Sequence, residues 1–239
     1  MELAEVVGQL SGLRRFAVRS LGGESPDEAL VRGPGLVGDR IYGLFDDEEG
    51  APLTSRNAPF LLRYRVRYLD SMVEGGDLEP WIRVKAPDGS ETPLSDPRWV
   101  NGVAQRYGRP VSLRRTEATA NSAPLHLLSV PTVRFLEKQY GGPLEPMRLR
   151  SNLLLDLPEA RAFEEDRWIG RQIWIGDVLL EIVKQCDECI VTSLDAQTTE
   201  RSPGVLNAIA RGRGGMTGVY ARALTGNRVR VGDPVSIVG

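Results

Sequence analysis

The 239-residue chain has two cysteines and one histidine, and these scarcities exclude whole classes of chemistry. One histidine cannot supply a multi-histidine metal site. Two cysteines cannot close a four-thiolate zinc or iron–sulfur site within the chain. A Ser-His-Asp or Cys-His relay would have to run through His126,. Lysine is nearly absent as well: Lys85, Lys138 and Lys184 are the only ones, and the other basic residues are arginine. That bias reads first as an arginine-rich codon background, although the guanidinium fork also suits phosphate. No apolar run approaches the ~20 residues of a membrane span. The start, MELAEVVGQL, lacks a basic segment followed by an apolar one, so it is not a secretory signal; the expected compartment is the cytoplasm, with no membrane partner,. A formal net charge of −2 argues against nucleic acid as the main partner,.

What is present describes a globular, strand-rich protein. Hydrophobic residues make up 41% and charged residues 26%, ordinary for a soluble domain, and 26 glycines with 16 prolines predict many turns,. Val6–Phe16, Ile41–Phe45, the alternating Leu61–Leu69 and Trp81–Ala86 read as strands, with Asp46-Asp47-Glu48-Glu49 as a solvated loop tip,. Three helices are marked by their ends: Asp96-Pro97 to Gly108, Ser129 with Pro131 to Gly141, and Ser202-Pro203 to Gly212,. Gln172–Ile175 and Val178–Gln185 flank Gly176-Asp177 as a hairpin, and Arg228–Val231, Gly232-Asp233, Pro234–Val238 repeats that unit,. Arg150–Leu155 is a further strand. A polar stretch over Arg115–Ala123 suggests two mainly β units, residues 1–115 and 116–239.

The chemistry concentrates on Cys186-Asp-Glu-Cys189, at the end of a strand. A thioredoxin-like site needs a helix after the pair to lower a thiol pKa, but Ile190-Val-Thr-Ser gives no helix start. A half zinc site completed by carboxylates or a second chain, or two buried structural cysteines, remain open on the residues alone. His126 in Leu125-His-Leu-Leu128 reads as a satisfied half-buried residue, Asp195 as a turn residue and Asp39-Arg40 as a surface charge pair.

The order of short motifs resembles a known family. Trp168-Ile-Gly, Ile175-Gly-Asp-Val, Cys186-Asp-Glu-Cys189-Ile-Val-Thr-Ser-Leu-Asp195, Gly218-Val-Tyr220 and Val231-Gly-Asp-Pro-Val235 are similar to the MOSC family, related to the C-terminal domain of molybdenum cofactor sulfurase. Phe16-Ala-Val-Arg-Ser20, Gly38-Asp-Arg40, Leu53-Thr-Ser-Arg56, Ala123-Pro-Leu-His-Leu-Leu-Ser129 and Leu149-Arg-Ser-Asn152 extend the likeness to the N-terminal β domain found in the mitochondrial amidoxime-reducing component and its bacterial relatives.

The resemblance implies a mainly β (α+β) fold: a MOSC-type β-barrel, a smaller N-terminal β-barrel subdomain and a few short helices. It implies a molybdenum–molybdopterin cofactor with Cys189 as metal ligand and catalytic residue, a soft thiolate beside the two sulfurs of the dithiolene. Arg19, Ser20, Arg40, Arg56, Ser122, Arg150 and Tyr220 match positions that hold the cofactor. Two departures stand out: Arg19 replaces a usual lysine, and Ser122-Ala123 replaces a Thr-Ser pair. The implied activity is reduction of small N-hydroxylated or N-oxide substrates. Electrons would come from a separate ferredoxin-like or cytochrome b5-like protein and its reductase, since two cysteines are too few for an iron–sulfur cluster,. A cofactor carrier or sulfur-delivery protein is the alternative.

Overall fold

A computed structural model describes residues 5–74, 76–116, 124–145, 147–187, 190–195 and 198–238. The fold is mainly β. Seven strands close a barrel in the order Glu5–Leu13, Leu153–Asp156, Leu125–Ser129, Met216–Ala223, Val178–Asp187, Gln172–Ile175 and Pro234–Ile237, the last pairing back with the first. Closure leaves no edge for another chain to extend. All pairings are antiparallel except Leu125–Ser129 with Leu153–Asp156. A parallel neighbour needs a crossover, and the helix Val130–Tyr140 supplies it.

The barrel core is aliphatic: Leu10, Leu127, Leu155, Ile173, Ile182, Val219 and Val235 are all fully buried. Each such side chain contributes about 2 kcal/mol by leaving water. A second core lies under two three-stranded sheets, Pro52–Leu53/Tyr42–Asp46/Val111–Arg115 and Arg65–Tyr68/Ile82–Lys85/Glu91–Pro93, with the helix Pro97–Tyr107 packed on it through Trp99 and Val103. The two cores do not part the chain at one position. The first strand belongs to the barrel, and Ala29, Val31 and Leu36 of a small sheet with Asn227–Arg230 pack on the barrel core. Residues 14–22 then cross from one core to the other, with Arg14 N–H bonded to Asn152 O and Gly22 N–H to Tyr64 O.

Among the described residues there are three α-helices, starting where expected; the third runs past the expected terminator Gly212 to Arg213 and closes at Gly214. Asp96 and Ser129 accept from the backbone N–H groups of Arg98 and Thr132, and Gly108 and Gly141 close the C-termini in the left-handed region. Ser202 precedes the third helix, Pro203–Arg213, without capping it. Its hydroxyl instead pairs with the Tyr140 hydroxyl at 2.9 Å, tying this helix to Val130–Tyr140.

Several sequence expectations are corrected. Leu61–Leu69 is not one strand: Pro59 starts a 3-10 turn, Pro59–Arg63, that buries Leu61 and Leu62, and the strand begins at Arg65. The first strand stops at Leu13 rather than Phe16, because residues 14–16 leave the barrel. The strand expected from Arg150 starts at Leu153, since Arg150 is left-handed with φ 53°. Gln172–Ile175 and Val178–Asp187 do form a hairpin, but Asn227–Arg230 and Pro234–Ile237 do not. The first pairs with Glu28–Arg32 and the second with barrel strands, and the Gly232-Asp233 turn passes the chain between sheets through bonds to Leu10. Asp46 is not at a solvated tip. It is buried, and its carboxylate accepts from Glu48 N, Glu49 N, the Tyr107 hydroxyl and Arg109.

Candidate cofactor site

The crossing segment brings a dense group of cations to the seam between the cores. Arg14, Arg15 and Phe16 are all buried. The Phe16 ring carries two guanidinium groups, with Arg150 4.2 Å and Arg40 5.0 Å from its centroid. Arg40 Nη1 donates to Asp39 and, at 3.0 Å, to Asn152 Oδ1; its Nη2 donates to the carbonyl of Arg150, also at 3.0 Å. Arg150 Nη1 donates to Leu21 O at 2.8 Å. Arg14 Nη1 donates to Ser151 Oγ at 2.7 Å. Phe16, Gly22, Gly23, Arg148 and Arg150 line a cleft that opens here.

The electrostatics are unbalanced. Arg150 is pushed well below the usual guanidinium range by burial and then by Arg40, with Asp39 offsetting only part. Burial also lowers Arg14. At neutral pH these groups stay charged. Asp39 already serves Arg40 and accepts the Phe16 N–H at 2.7 Å through its other oxygen.

Fully buried Asn152 organises the floor. Its Oδ1 also accepts from His126 N at 3.2 Å, and its Nδ2 donates to Arg14 O at 3.1 Å. His126 is buried rather than half-buried, with Nε2 2.9 Å from Thr217 O. Burial drives its pKa down to about 4; the Thr217 carbonyl opposes this, and Arg40 and Arg14 assist it. The ring is therefore neutral and donates from Nε2. Gly218 has to be glycine: φ is +69°, and a Cβ would fall 2.3 Å from Leu127 O and 2.8 Å from His126 Nε2.

Tyr220 pairs with His126 on the neighbouring barrel strand, their ring centroids 5.7 Å apart. Its pKa is raised by burial first and then by the neighbouring Cys186 thiol, with which it shares a hydrogen bond. Tyr220 is thus a stable donor at neutral pH. Cys186 is buried. Cys189 and Ser122 lie outside the described residues. Among the described residues, no group of three or more His, Cys, Asp or Glu is placed to hold a metal ion.

The structure therefore draws Arg40, Arg150 and Tyr220 together. Ser20 is half-buried on the crossing segment and Arg19 is exposed beside Gly43. Arg56 is exposed on the Thr54–Asn57 turn, where its N–H donates to Thr54 Oγ1. Ser20, Arg40 and Arg150 share a backbone signature: φ of 68°, 54° and 53°. Non-glycine residues pay to adopt this conformation, and it persists where the surroundings over-determine it, often at binding sites. Sequence reasoning missed Arg14, Phe16 and Asn152 as site residues. Asn152 follows Arg150 closely enough to be found, but nothing separates Arg14 from the other arginines.

This geometry suits an anionic group carrying phosphate: convergent guanidiniums and a left-handed backbone at Arg40 and Arg150,. The MOSC domain family model matches residues 114–236, and that of the MOSC N-terminal beta barrel domain matches residues 7–122. Two curated relatives named molybdenum cofactor sulfurase are similar to part of the chain. The one from Drosophila mojavensis is 29% identical over 133 residues, 55% of this chain and 16% of that protein. The one from Drosophila grimshawi is 31% identical over 134 residues, 52% of this chain and 17% of that protein. The chain thus spans under a fifth of either relative. The crystal structure of the YuaD protein from Bacillus subtilis shares the fold over 98% of both chains, with a TM-score of 0.54 at 14% identity. No helix among the described residues is long and apolar enough to cross a membrane.

Proposed function

The chain belongs to the MOSC family, and we propose that it binds the molybdenum cofactor at the seam and reduces N-hydroxylated or N-oxide compounds. The observation that carries the reading is the Arg40–Arg150 pair on Phe16, where desolvation and the Arg40 charge disfavour the half-buried Arg150 cation, so that a negative charge would stabilise it. A pterin phosphate supplies that charge through charge-assisted hydrogen bonds. The descriptions of the curated relatives support a cofactor of this kind.

Each residue then has a task. Arg40 and Arg150 grip the phosphate, while Asn152 accepts from Arg40 Nη1 and is itself tied to the Arg14 carbonyl. Cys189 provides a thiolate to the metal, as the family motif implies. Tyr220 keeps its proton at neutral pH and presents it to the cofactor or substrate. His126 stays neutral and so adds no further positive charge to the cluster. The bound cofactor supplies a redox-active metal that lets an N–OH compound take up two electrons and two protons, giving the N–H compound and water. The electrons come from a separate redox protein, because the chain cannot hold an iron–sulfur cluster.

Protein purified with its cofactor and supplied with an artificial reductant tests the activity. Turnover of an amidoxime or hydroxylamine, abolished in Cys189→Ala, supports the reductase. Full metal loading without turnover would instead leave a cofactor carrier or sulfur-delivery protein, the reading favoured by the relatives' descriptions as sulfurases.

A further inference from the structure

Below the cation pair lies a second buried polar network that the binding site does not itself require. Arg15 is fully buried. Its Nε donates to Glu24 Oε1 at 2.8 Å and its Nη2 lies 2.7 Å from the same oxygen. The guanidinium sits 3.9 Å above the Tyr68 ring. Glu24 Oε2 accepts the Tyr68 N–H at 2.9 Å. A buried ion pair of this kind is a poor source of stability, since an apolar replacement of similar volume is often neutral or stabilising. Its retention calls for another explanation, and the remaining donors provide one.

These donors converge on the turn before Arg40. Arg15 Nη1 donates to Val37 O at 3.3 Å and to Ser71 O at 3.1 Å. The Tyr68 hydroxyl donates to Gly38 O at 3.0 Å. Gly38 has φ +81°, and a Cβ there would lie 2.2 Å from the Tyr68 hydroxyl, so the contact depends on glycine. Asp39 then takes the Phe16 N–H, and Arg40 N–H bonds to Phe16 O at 2.6 Å. Consecutive peptide groups from Val37 to Arg40 are thus each held, and the last has the left-handed backbone that aims its guanidinium across Phe16.

We propose that Tyr68, backed by Arg15 and Glu24, is a positioning residue that fixes the Gly38 carbonyl and so sets the orientation of the Arg40 guanidinium. The proposal builds on the anion-site reading of Arg40 but is separable from it.

The test uses the full chain with Tyr68→Phe, which keeps the ring under Arg15 and removes only the hydroxyl. Side-chain 15N relaxation at Arg40 Nε reports the position directly, and calorimetry with inorganic phosphate reports the consequence. The expected result is greater Arg40 mobility and about fivefold weaker phosphate binding, the worth of one neutral hydrogen bond. Glu24→Gln, which weakens the hold on Arg15 and on the Tyr68 N–H, shifts both readouts the same way. In an Arg40→Ala background Tyr68→Phe changes phosphate affinity no further, which a general loss of structure would not produce. Unchanged Arg40 relaxation in Tyr68→Phe, or an equal loss of affinity with and without Arg40, overturns the proposal. If the wild type binds no phosphate, the anion-site reading fails, and the Arg40 relaxation data still decide whether Tyr68 positions it.

Discussion

Arg40 donates through Nη2 to the main-chain carbonyl of Arg150 at 3.0 Å, joining two residues 110 positions apart in the chain. Their guanidiniums then share the Phe16 ring. A carbonyl and a π face reduce the repulsion between two cations without neutralising either. Such a pair is ready for an anion before the anion arrives, and the preorganisation lowers the cost of binding.

Removing the less balanced cation tests this directly. Arg150→Met keeps a long apolar stem over Phe16 and deletes the charge. Phosphate binding measured by calorimetry is expected to disappear. Stability in urea is expected to hold or to rise by about 1 kcal/mol, because a half-buried charge disfavoured by desolvation is replaced by an apolar group,. Retained phosphate affinity would mean that the anion sits elsewhere.

His126 sets an acid limb for stability. Its folded-state pKa of about 4 lies below the ordinary 6.5, so the unfolded chain binds a proton that the folded chain refuses. Its contribution is complete above about pH 6.5 and is lost as the pH falls from there towards about 4, up to about 3 kcal/mol in total. Urea midpoints followed from about pH 7.5 to about pH 4.5 should fall across that window. His126→Gln should flatten this part of the fall. An unchanged slope in the variant would show that His126 is not the group responsible.

Gly218→Ala combines an unfavourable φ with contacts on Leu127 O and His126 that cannot relax without moving the barrel. A loss of about 3 kcal/mol or more in denaturant unfolding is expected. A neutral result would mean that the strand Met216–Ala223 can shift, and the placing of Tyr220 would have to be reconsidered.

Asn152→Leu is expected to cost about 3 kcal/mol, since it leaves Arg14 O, His126 N and Arg40 Nη1 without their shared partner,. It should also weaken phosphate binding, because Arg40 loses a support. Lost stability with unchanged phosphate affinity would limit Asn152 to a purely structural role.

Much of the fold was legible because local signals and tertiary demands agreed. The Asp96 and Ser129 caps, the terminating Gly108 and Gly141, and the Gly176-Asp177 hairpin are set by neighbours in sequence. The Gly232-Asp233 turn misled because the turn bonds to Leu10 and the strand before it pairs with Glu28–Arg32, both remote in the chain. Ser202 carries a cap signature but spends its hydroxyl on Tyr140, a tertiary contact no spacing reveals. Arg40, Arg150 and Tyr220 were found through motif resemblance, and the structure joins them. Arg14 and Phe16 escaped because their role arises only where residues 14–22 cross between the cores.

The central claim is that this chain holds a molybdenum cofactor through Cys189 and the seam arginines, and metal analysis tests it most directly. Protein purified from a host that makes the cofactor should contain stoichiometric molybdenum and pterin, with molybdenum lost in Cys189→Ala and largely retained in Cys186→Ala. Zinc, or no metal at all, in the wild type, or molybdenum retained in full without Cys189, would contradict it.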